Sequence, residues 1–149
     1  MIEPRGFGFD IRAEVDAYNA SDTVTRRPRT GLLVYLNWAL VQWFYNKKNR
    51  IEISTFISEF FAMEVCCKYI YNLRYKLRMM GILVNGADYI EVDNQSVLSN
   101  TTIPNSTIKK KSQSILYHFV HEGVAREKWR TWYISTDDNK ADLLTNQLL

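Results

Sequence analysis

Apolar runs separated by short polar breaks predict three strands in the first third of the chain. A weakly alternating segment over residues 10–16 ends at Asp16, and residues 30–36 form a nearly continuous apolar run of strand length. Residues 37–39 suit a tight turn, and residues 40–45 form a second apolar run that returns from it. Runs joined by so short a turn pair as a hairpin, so we expect an antiparallel three-stranded meander.

From residue 55 onward the spacing of apolar positions becomes that of a helix. The recurring residues are Phe60, Met63, Cys67, Ile70, Leu73 and Leu77. This spacing predicts one long helix over residues 55–80 with a single apolar face, and Gly81 is placed to end it.

The second half of the chain alternates strands and helices. The predicted elements are a strand over 88–93, a helix over about 94–100, a helix over 109–122 that ends at Gly123, a strand over 129–134 and a last helix through 140–144. The order β-β-β-α-β-α-α-β-α predicts an α/β fold. We expect a five-stranded mixed sheet, with three antiparallel strands and then parallel crossovers, flanked by helices.

Composition indicates one ordinary globular domain. The chain has 149 residues, of which 46% are hydrophobic and 23% charged. It shows neither the apolar stretch of a signal peptide nor an apolar run of bilayer length, so we expect an intracellular protein that is not secreted. Cys66 and Cys67 are adjacent, which excludes a disulfide framework and favours buried thiols. We place the domain at residues 10–149 and interpret residues 1–9 as an N-terminal extension.

Positive charge is gathered in three short clusters, although the formal net charge is only +3. The clusters are Arg26, Arg27 and Arg29, then Lys47, Lys48 and Arg50, then Lys109, Lys110 and Lys111. Each cluster alone is equally well explained as a solvated loop. Together with four Trp, nine Tyr and seven Phe, they favour a polyanionic partner.

The most informative stretch joins a strand to a helix at Asp93. A carboxylate at the carboxyl end of a strand and the start of a helix occupies the position where open α/β sheets place functional groups. Asn94, Gln95 and Ser96 follow directly and can cap the helix. The alternative is that Asp93 is itself only the N-cap, so its interpretation depends on whether other carboxylates converge on it.

Three further carboxylates have comparable positions. Asp16 ends the first predicted strand, Glu59 lies one turn inside the long helix, and Asp142 lies in the last helix. If strands one and four are parallel neighbours, their ends bring Asp16 and Asp93 together with the helical carboxylates beside them. Crowded carboxylates repel one another, and Mg²⁺ or Mn²⁺ relieves the repulsion through oxygen ligands. Two such ions about 3.5–4 Å apart serve phosphodiester cleavage. A first-turn residue favoured by the helix dipole is an equally good explanation of Glu59.

The order of these residues resembles that of a known family. The motifs are Asp16-Ala17, Arg26-Arg27 to Thr30-Gly31, Trp43 with Lys47-Lys48, Ser58-Glu59-Phe60, Asp93-Asn94-Gln95-Ser96, Tyr117-His118-Phe119 with Glu122, and Ala141-Asp142-Leu143-Leu144-Thr145. They cover about residues 11–147 and resemble the ribonuclease H domain of copia-type LTR retrotransposon Pol polyproteins. The resemblance implies the ribonuclease H-like fold, and it makes residues 1–9 the remnant of a preceding polymerase or connection region.

The resemblance also implies a reaction, which is metal-dependent hydrolysis of the RNA strand of an RNA–DNA hybrid to leave a 3′-hydroxyl. It makes Asp16, Glu59, Asp93 and Asp142 the catalytic residues and the ligands of two Mg²⁺ or Mn²⁺ ions. The residues expected to contact nucleic acid are Asn94, Gln95, Arg26, Arg27, Lys109, Lys110 and Lys111. The implied partners are the hybrid and the reverse transcriptase portion of a polyprotein. We expect a monomer without membrane contact, in a cytoplasmic particle or the nucleus.

Around its intact carboxylates the chain departs from the family pattern. The departing positions are Val15, Tyr18, Asn19, Phe56, Ile57, Ser112, Ser114, Asn146 and Gln147. Because groups next to metal ligands affect metal affinity, two other functions stay open. One is a catalytically silent or domesticated remnant that keeps the fold and binds nucleic acid or protein. The other is an unrelated α/β binding module whose acidic residues are only caps and surface groups.

Overall fold

Strands and helices follow one another in the predicted order through the residues that the computed structural model describes, which are 8–18, 28–47, 55–102 and 111–145. The elements are β1 (Ile11–Tyr18), β2 (Arg29–Leu36), β3 (Ala39–Lys47), α1 (Thr55–Met79), β4 (Asp88–Val92), α2 (Gln95–Thr102), α3 (Lys111–Ala125), β5 (Trp129–Tyr133), a 3₁₀ turn (Thr136–Asp138) and α4 (Asp142–Thr145). None of the helices in these ranges combines the length and the apolar character needed to cross a bilayer.

The strands form one mixed sheet in the order β3-β2-β1-β4-β5. The pairs β1–β2 and β2–β3 are antiparallel, whereas β1–β4 and β4–β5 are parallel. Each parallel connection passes through helices, as a crossover must. The predicted five-stranded mixed α/β sheet is therefore confirmed, and it makes β1 and β4 parallel neighbours at its centre.

One face of the sheet forms the main core with α1 and α3. Alternate residues of β1 point into this core, and the apolar face of α1 packs against them. The predicted apolar face of α1 is confirmed: Phe60, Met63, Cys67, Ile70 and Leu77 are buried, and Leu73 packs against them. Cys66 and Cys67 are buried free thiols, as expected.

The other face of the sheet carries a smaller cluster under α4. Leu33 and Tyr35 of β2 are buried there against Ala141, and Leu144 packs on the same group. Because successive side chains of a strand point to opposite faces, Asp16 and the buried Val15 lie on opposite sides of β1. Asp16 therefore shares a face with α4, away from the main core.

The predicted end of the first strand is wrong. β1 continues past Asp16 to Tyr18, because Ala17 and Tyr18 pair with Thr30 and Arg29 of β2. Asp16 consequently lies within a hydrogen-bonded strand, where its backbone is more firmly fixed than at a free strand end.

The predicted helix stop at Gly123 is also wrong, and α3 continues to Ala125. A Cβ at position 123 would lie 1.9 Å from Cζ2 of the Trp129 ring. The glycine therefore makes room for the buried indole rather than ending the helix. The last helix also begins later than predicted, at Asp142, because residues 136–138 form a separate 3₁₀ turn.

Candidate metal centre

Asp16 is a buried carboxylate on the face of the sheet that α4 covers. Its residue is 6% exposed, and its strand partner in β2 is Gly31. A Cβ at Gly31 would lie 2.8 Å from the Ala141 carbonyl oxygen, so only a glycine lets the chain over residues 139–145, which we call the α4 segment, approach this closely. The approach allows the Thr145 hydroxyl to donate a hydrogen bond to Oδ2 of Asp16.

Asp93 follows β4 directly and lies beside Asp16. The parallel register pairs Val15 with Val92, so the next residue of each strand is one of the two carboxylates. Asn94 caps α2, since its Oδ1 accepts hydrogen bonds from the backbone N–H groups of Ser96 at 2.9 Å and Val97 at 3.3 Å. The interpretation of Asp93 as only an N-cap is therefore wrong, and its carboxylate is available to the site.

Glu59 reaches the same place from α1. Its side chain is partly buried, and the side-chain amide of Asn94 favours its ionised form and lowers its pKa against the effect of burial. Asn94 thus caps α2 with its oxygen and also acts on Glu59. This single side chain sets the start of α2 relative to α1.

Three carboxylates from three different elements converge. One oxygen from each of Asp16, Glu59 and Asp93 can be chosen so that all three lie within 4.8 Å of one another. Asp142 is not part of that group, but its charge acts on both Asp16 and Asp93. The alternative in which the acidic residues are scattered caps and surface groups is wrong for these positions.

The convergence changes the acidity of the group. Burial first, and then the charges of Asp93 and Asp142, raise the pKa of Asp16 from 3.8 to about 6. Burial and the charges of Asp16 and Asp93 likewise raise the pKa of Glu59 from 4.5 to about 8. Burial also raises the pKa of Asp93. Each charge thus disfavours ionisation of a neighbour, which is the condition that a bound cation relieves.

The residues fit a divalent cation. All donors in the cluster are carboxylate oxygens, which hard ions such as Mg²⁺ and Mn²⁺ prefer. Mg²⁺ holds oxygen ligands at about 2.1 Å, so oxygens on opposite sides of the ion lie about 4.2 Å apart. The 4.8 Å limit within which the three oxygens lie requires little movement to meet that geometry.

Two buried residues of the α4 segment hold the carboxylates, and sequence reasoning assigned a role to neither. Asn139 and Thr145 are 3% and 0% exposed. The side chains of Asn139 and Thr136 favour the ionised form of Asp93 and lower the pKa of that carboxyl group against the effect of burial. The spacing of Asn139 and Thr145 around Asp142 was the available signal, but in one sequence it does not differ from that of ordinary loop residues.

Most of the residues expected to contact nucleic acid lie outside the described ranges. These are Arg26, Arg27, Lys109 and Lys110. Lys111 is the first residue of α3, but its side chain is not among those that the structure describes. Gln95 is exposed at the start of α2. Asn94 caps α2 with its side-chain oxygen. From the second basic cluster, Lys47 is the last residue of β3 rather than part of a loop.

One departure from the family pattern does not reach the site. Val15 is 1% exposed and belongs to the main core, on the opposite side of β1 from Asp16. Tyr18 lies on the same side of β1 as Asp16, two residues further on. Asn19, Asn146 and Gln147 lie outside the described residues, as do the side chains of Phe56, Ile57, Ser112 and Ser114.

Sequence comparison finds curated relatives that include Pol polyproteins of two plant transposons. The chain is 26% identical over 136 residues to the retrovirus-related Pol polyprotein from transposon TNT 1-94 of Nicotiana tabacum, which covers 91% of this chain and 10% of the relative. It is 25% identical over 144 residues to the retrovirus-related Pol polyprotein from transposon RE2 of Arabidopsis thaliana, covering 97% of this chain and 10% of that relative. The chain therefore spans about a tenth of the length of these relatives. No family model matches it.

Structure comparison finds ribonuclease H domains. The N-terminal RNase H domain of Rv2228c from Mycobacterium tuberculosis matches with a TM-score of 0.64 and 13% identity, over 93% of this chain and 92% of that one. LC11-RNase H1, in complex with an RNA/DNA hybrid, matches with a TM-score of 0.64 and 12% identity, over 92% and 94%. A prototype foamy virus protease–reverse transcriptase matches with a TM-score of 0.55 and 12% identity, over 97% of this chain and 21% of that chain. These matches confirm the expected fold, and with the sequence relatives they confirm the resemblance to copia-type Pol polyproteins.

Proposed function

From the ribonuclease H fold and the similarity to retrotransposon Pol polyproteins, we propose that this chain is a metal-dependent ribonuclease H domain. Its reaction is hydrolysis of the RNA strand of an RNA–DNA hybrid to leave a 3′-hydroxyl. The observation that supports the proposal best is the convergence of Asp16 of β1, Asp93 just after β4 and Glu59 of α1, with one oxygen of each within 4.8 Å of the others.

In this proposal Asp16, Glu59 and Asp93 hold one divalent cation, and Asp142 with Asp16 holds a second. When bound, Mg²⁺ or Mn²⁺ supplies the Lewis acid that offsets the charge developing on the phosphate. The chain itself supplies placement. β1 and β4 fix Asp16 and Asp93 side by side, and α1 brings Glu59 to them. The hydroxyl of Thr145 holds one oxygen of Asp16, so the other oxygen is directed to the cation.

The proposed substrate explains the basic residues that the cluster does not use. Lysine and arginine contacts to phosphates position a nucleic acid without reading its sequence, and 2′-hydroxyls distinguish RNA from DNA. We assign the phosphate contacts to Arg26, Arg27 and the lysines 109–111, and we place Gln95 beside the hybrid. On this proposal the domain acts inside the cell as a monomer, next to the reverse transcriptase portion of a polyprotein.

The test is cleavage of an end-labelled RNA–DNA hybrid with Mg²⁺ or Mn²⁺. Asp93→Asn should lower the rate by more than about 100-fold, beyond the loss typical of residues that only support a ligand. Asp10→Asn is the matched control, since Asp10 is exposed near the opposite end of β1. Equal rates for wild type and Asp93→Asn would contradict the proposal.

A gel-shift titration separates the enzyme from a silent remnant. A remnant would bind the hybrid without cutting it, and its affinity would fall as salt rises, because binding to phosphates releases counterions. If the protein binds the hybrid but does not cleave it with either metal, it is a catalytically silent remnant and not an enzyme.

A further inference from the structure

Asn139 lies between the 3₁₀ turn and α4, and its side chain points into the protein rather than into solvent. The residue is 3% exposed, although it belongs to a connection between two short helical turns. A buried amide is costly unless its hydrogen-bonding groups are satisfied, so its partners show what it does.

The amide of Asn139 joins three parts of the candidate metal centre. Its Nδ2 donates to the Val15 carbonyl oxygen of β1 at 3.0 Å, and its Oδ1 accepts from the Ala141 N–H at 3.1 Å. The same amide also favours the ionised form of Asp93 and lowers the pKa of that carboxyl group against the effect of burial. The nitrogen and the oxygen of Asn139 are therefore both used at the candidate metal centre.

Each group on which the Asn139 side chain acts is a carboxylate of the site or belongs to the neighbour of one. Val15 precedes Asp16, Ala141 precedes Asp142, and the amide stabilises the charge of Asp93. We infer that Asn139 is a positioning residue, which holds Asp93 in place relative to the backbones that carry Asp16 and Asp142. This inference deepens the proposed function and rests on it for its consequence in metal binding.

The competing explanation is that Asn139 only fastens α4 to the sheet. Leu144 provides the comparison, because it packs α4 against Leu33 and Tyr35 through an apolar side chain. If Asn139 only fastens α4, Leu144→Ala and Asn139→Ala should weaken Mn²⁺ binding to the same extent. If Asn139 positions Asp93, only the Asn139 variant should displace the Asp93 carboxylate.

The first measurement is Mn²⁺ affinity by calorimetry, without substrate, for wild type, Asn139→Ala and Leu144→Ala, with urea unfolding to compare their stabilities. We expect the Mn²⁺ dissociation constant to rise about 10–100-fold for Asn139→Ala and less than about threefold for Leu144→Ala. If the alanine variant does not fold, Asn139→Ser, which keeps a small polar group, is used in the same way. Equal weakening by the Asn139 and Leu144 variants would overturn the inference.

The second measurement needs no metal binding. Crystal structures of the metal-free variants should show the Asp93 carboxylate displaced in the Asn139 variant and unmoved in Leu144→Ala. An unmoved Asp93 in the Asn139 variant would overturn the inference. A wild type that binds no divalent ion would instead overturn the proposed function, while the crystal structures would still decide the role of Asn139.

Discussion

Replacing Glu59 by glutamine tests the crowding of the carboxylates directly. Burial and the charges of Asp16 and Asp93 raise the pKa of Glu59 from 4.5 to about 8, so the folded state holds this proton more tightly than the unfolded state. Between these two pH values the folded state binds more protons, and the free energy of unfolding falls as pH rises. The glutamine has no proton to lose, so Glu59→Gln removes this part of the pH dependence.

The magnitude follows from the same pKa values. A tenfold change in proton affinity is worth about 1.4 kcal/mol, so a pKa moved from 4.5 to about 8 corresponds to at most about 5 kcal/mol. Water reaches part of the Glu59 side chain and screens its charge, which reduces the expected effect to about 2–4 kcal/mol. Without metal, Glu59→Gln should therefore match the wild type near pH 5 and exceed its stability by that amount above pH 8.

The assay is urea unfolding of the metal-free protein across this pH range. Glu122→Gln is the matched control, because Glu122 is an exposed helical glutamate that pairs with Arg126 at the surface. It should change the free energy of unfolding by less than about 1 kcal/mol. Adding Mg²⁺ should stabilise the wild type more than Glu59→Gln, since a ligand that binds the folded state stabilises it. Parallel pH curves for wild type and Glu59→Gln would refute the reasoning.

Three further substitutions test the parts of the fold that support the site. Gly123→Ala should lower the free energy of unfolding by about 3 kcal/mol, because the new methyl would overlap the Trp129 ring; urea unfolding measures it. Thr145→Val should raise the Mg²⁺ concentration for half-maximal cleavage about tenfold, because Asp16 loses its hydroxyl donor. Arg74→Met should destabilise by about 3 kcal/mol in thermal or urea unfolding, because it leaves the buried aspartate that begins β4 unpaired.

Each of these substitutions has a comparison that can contradict it. Gly81→Ala should cost only about 1 kcal/mol, since its strain comes from a positive φ and a Cβ there meets nothing within 4 Å. Thr145→Ser keeps the hydroxyl and should keep the metal requirement of the wild type. Arg126→Met removes an exposed ion pair and should cost less than about 1 kcal/mol. Equal effects within any of the three pairs would contradict the corresponding explanation.

The convergence of the carboxylates could be predicted because it follows from strand order. Once β1 and β4 are parallel neighbours, a carboxylate near the carboxyl end of each must lie beside the other. The apolar periodicity of α1 then fixes which side of that helix faces the sheet. Alternation and period can be read from a single sequence, whereas the pairing of β1 with β4 entered the prediction as a condition that the structure then met.

The bounds of elements were less predictable, because tertiary contacts decide them. Gly123 reads as a helix end, yet α3 passes through it because the Trp129 ring needs the space. Asp16 reads as a strand end, yet pairing with β2 extends the strand by two residues. In both cases the deciding partner is absent from the local sequence pattern.

The roles of Asn139 and Thr145 could not be predicted from spacing. Their partners Val15 and Asp16 lie at the other end of the described chain, and a polar residue near a short helix is common. Only the folded arrangement shows that these side chains are buried and directed at the carboxylates.

The contacts between β1 and the α4 segment also govern when the site can form during synthesis. Asn139 bonds to a residue 124 positions earlier in the chain, and Thr145 to one 129 positions earlier. Such distant contacts are the slowest to form, since the intervening chain must be ordered first. A nascent chain that has already paired its first three strands still lacks Asp142 and both supporting residues. The complete carboxylate site, and with it the proposed cleavage of RNA, therefore appears only after the α4 segment has left the ribosome that is translating the message.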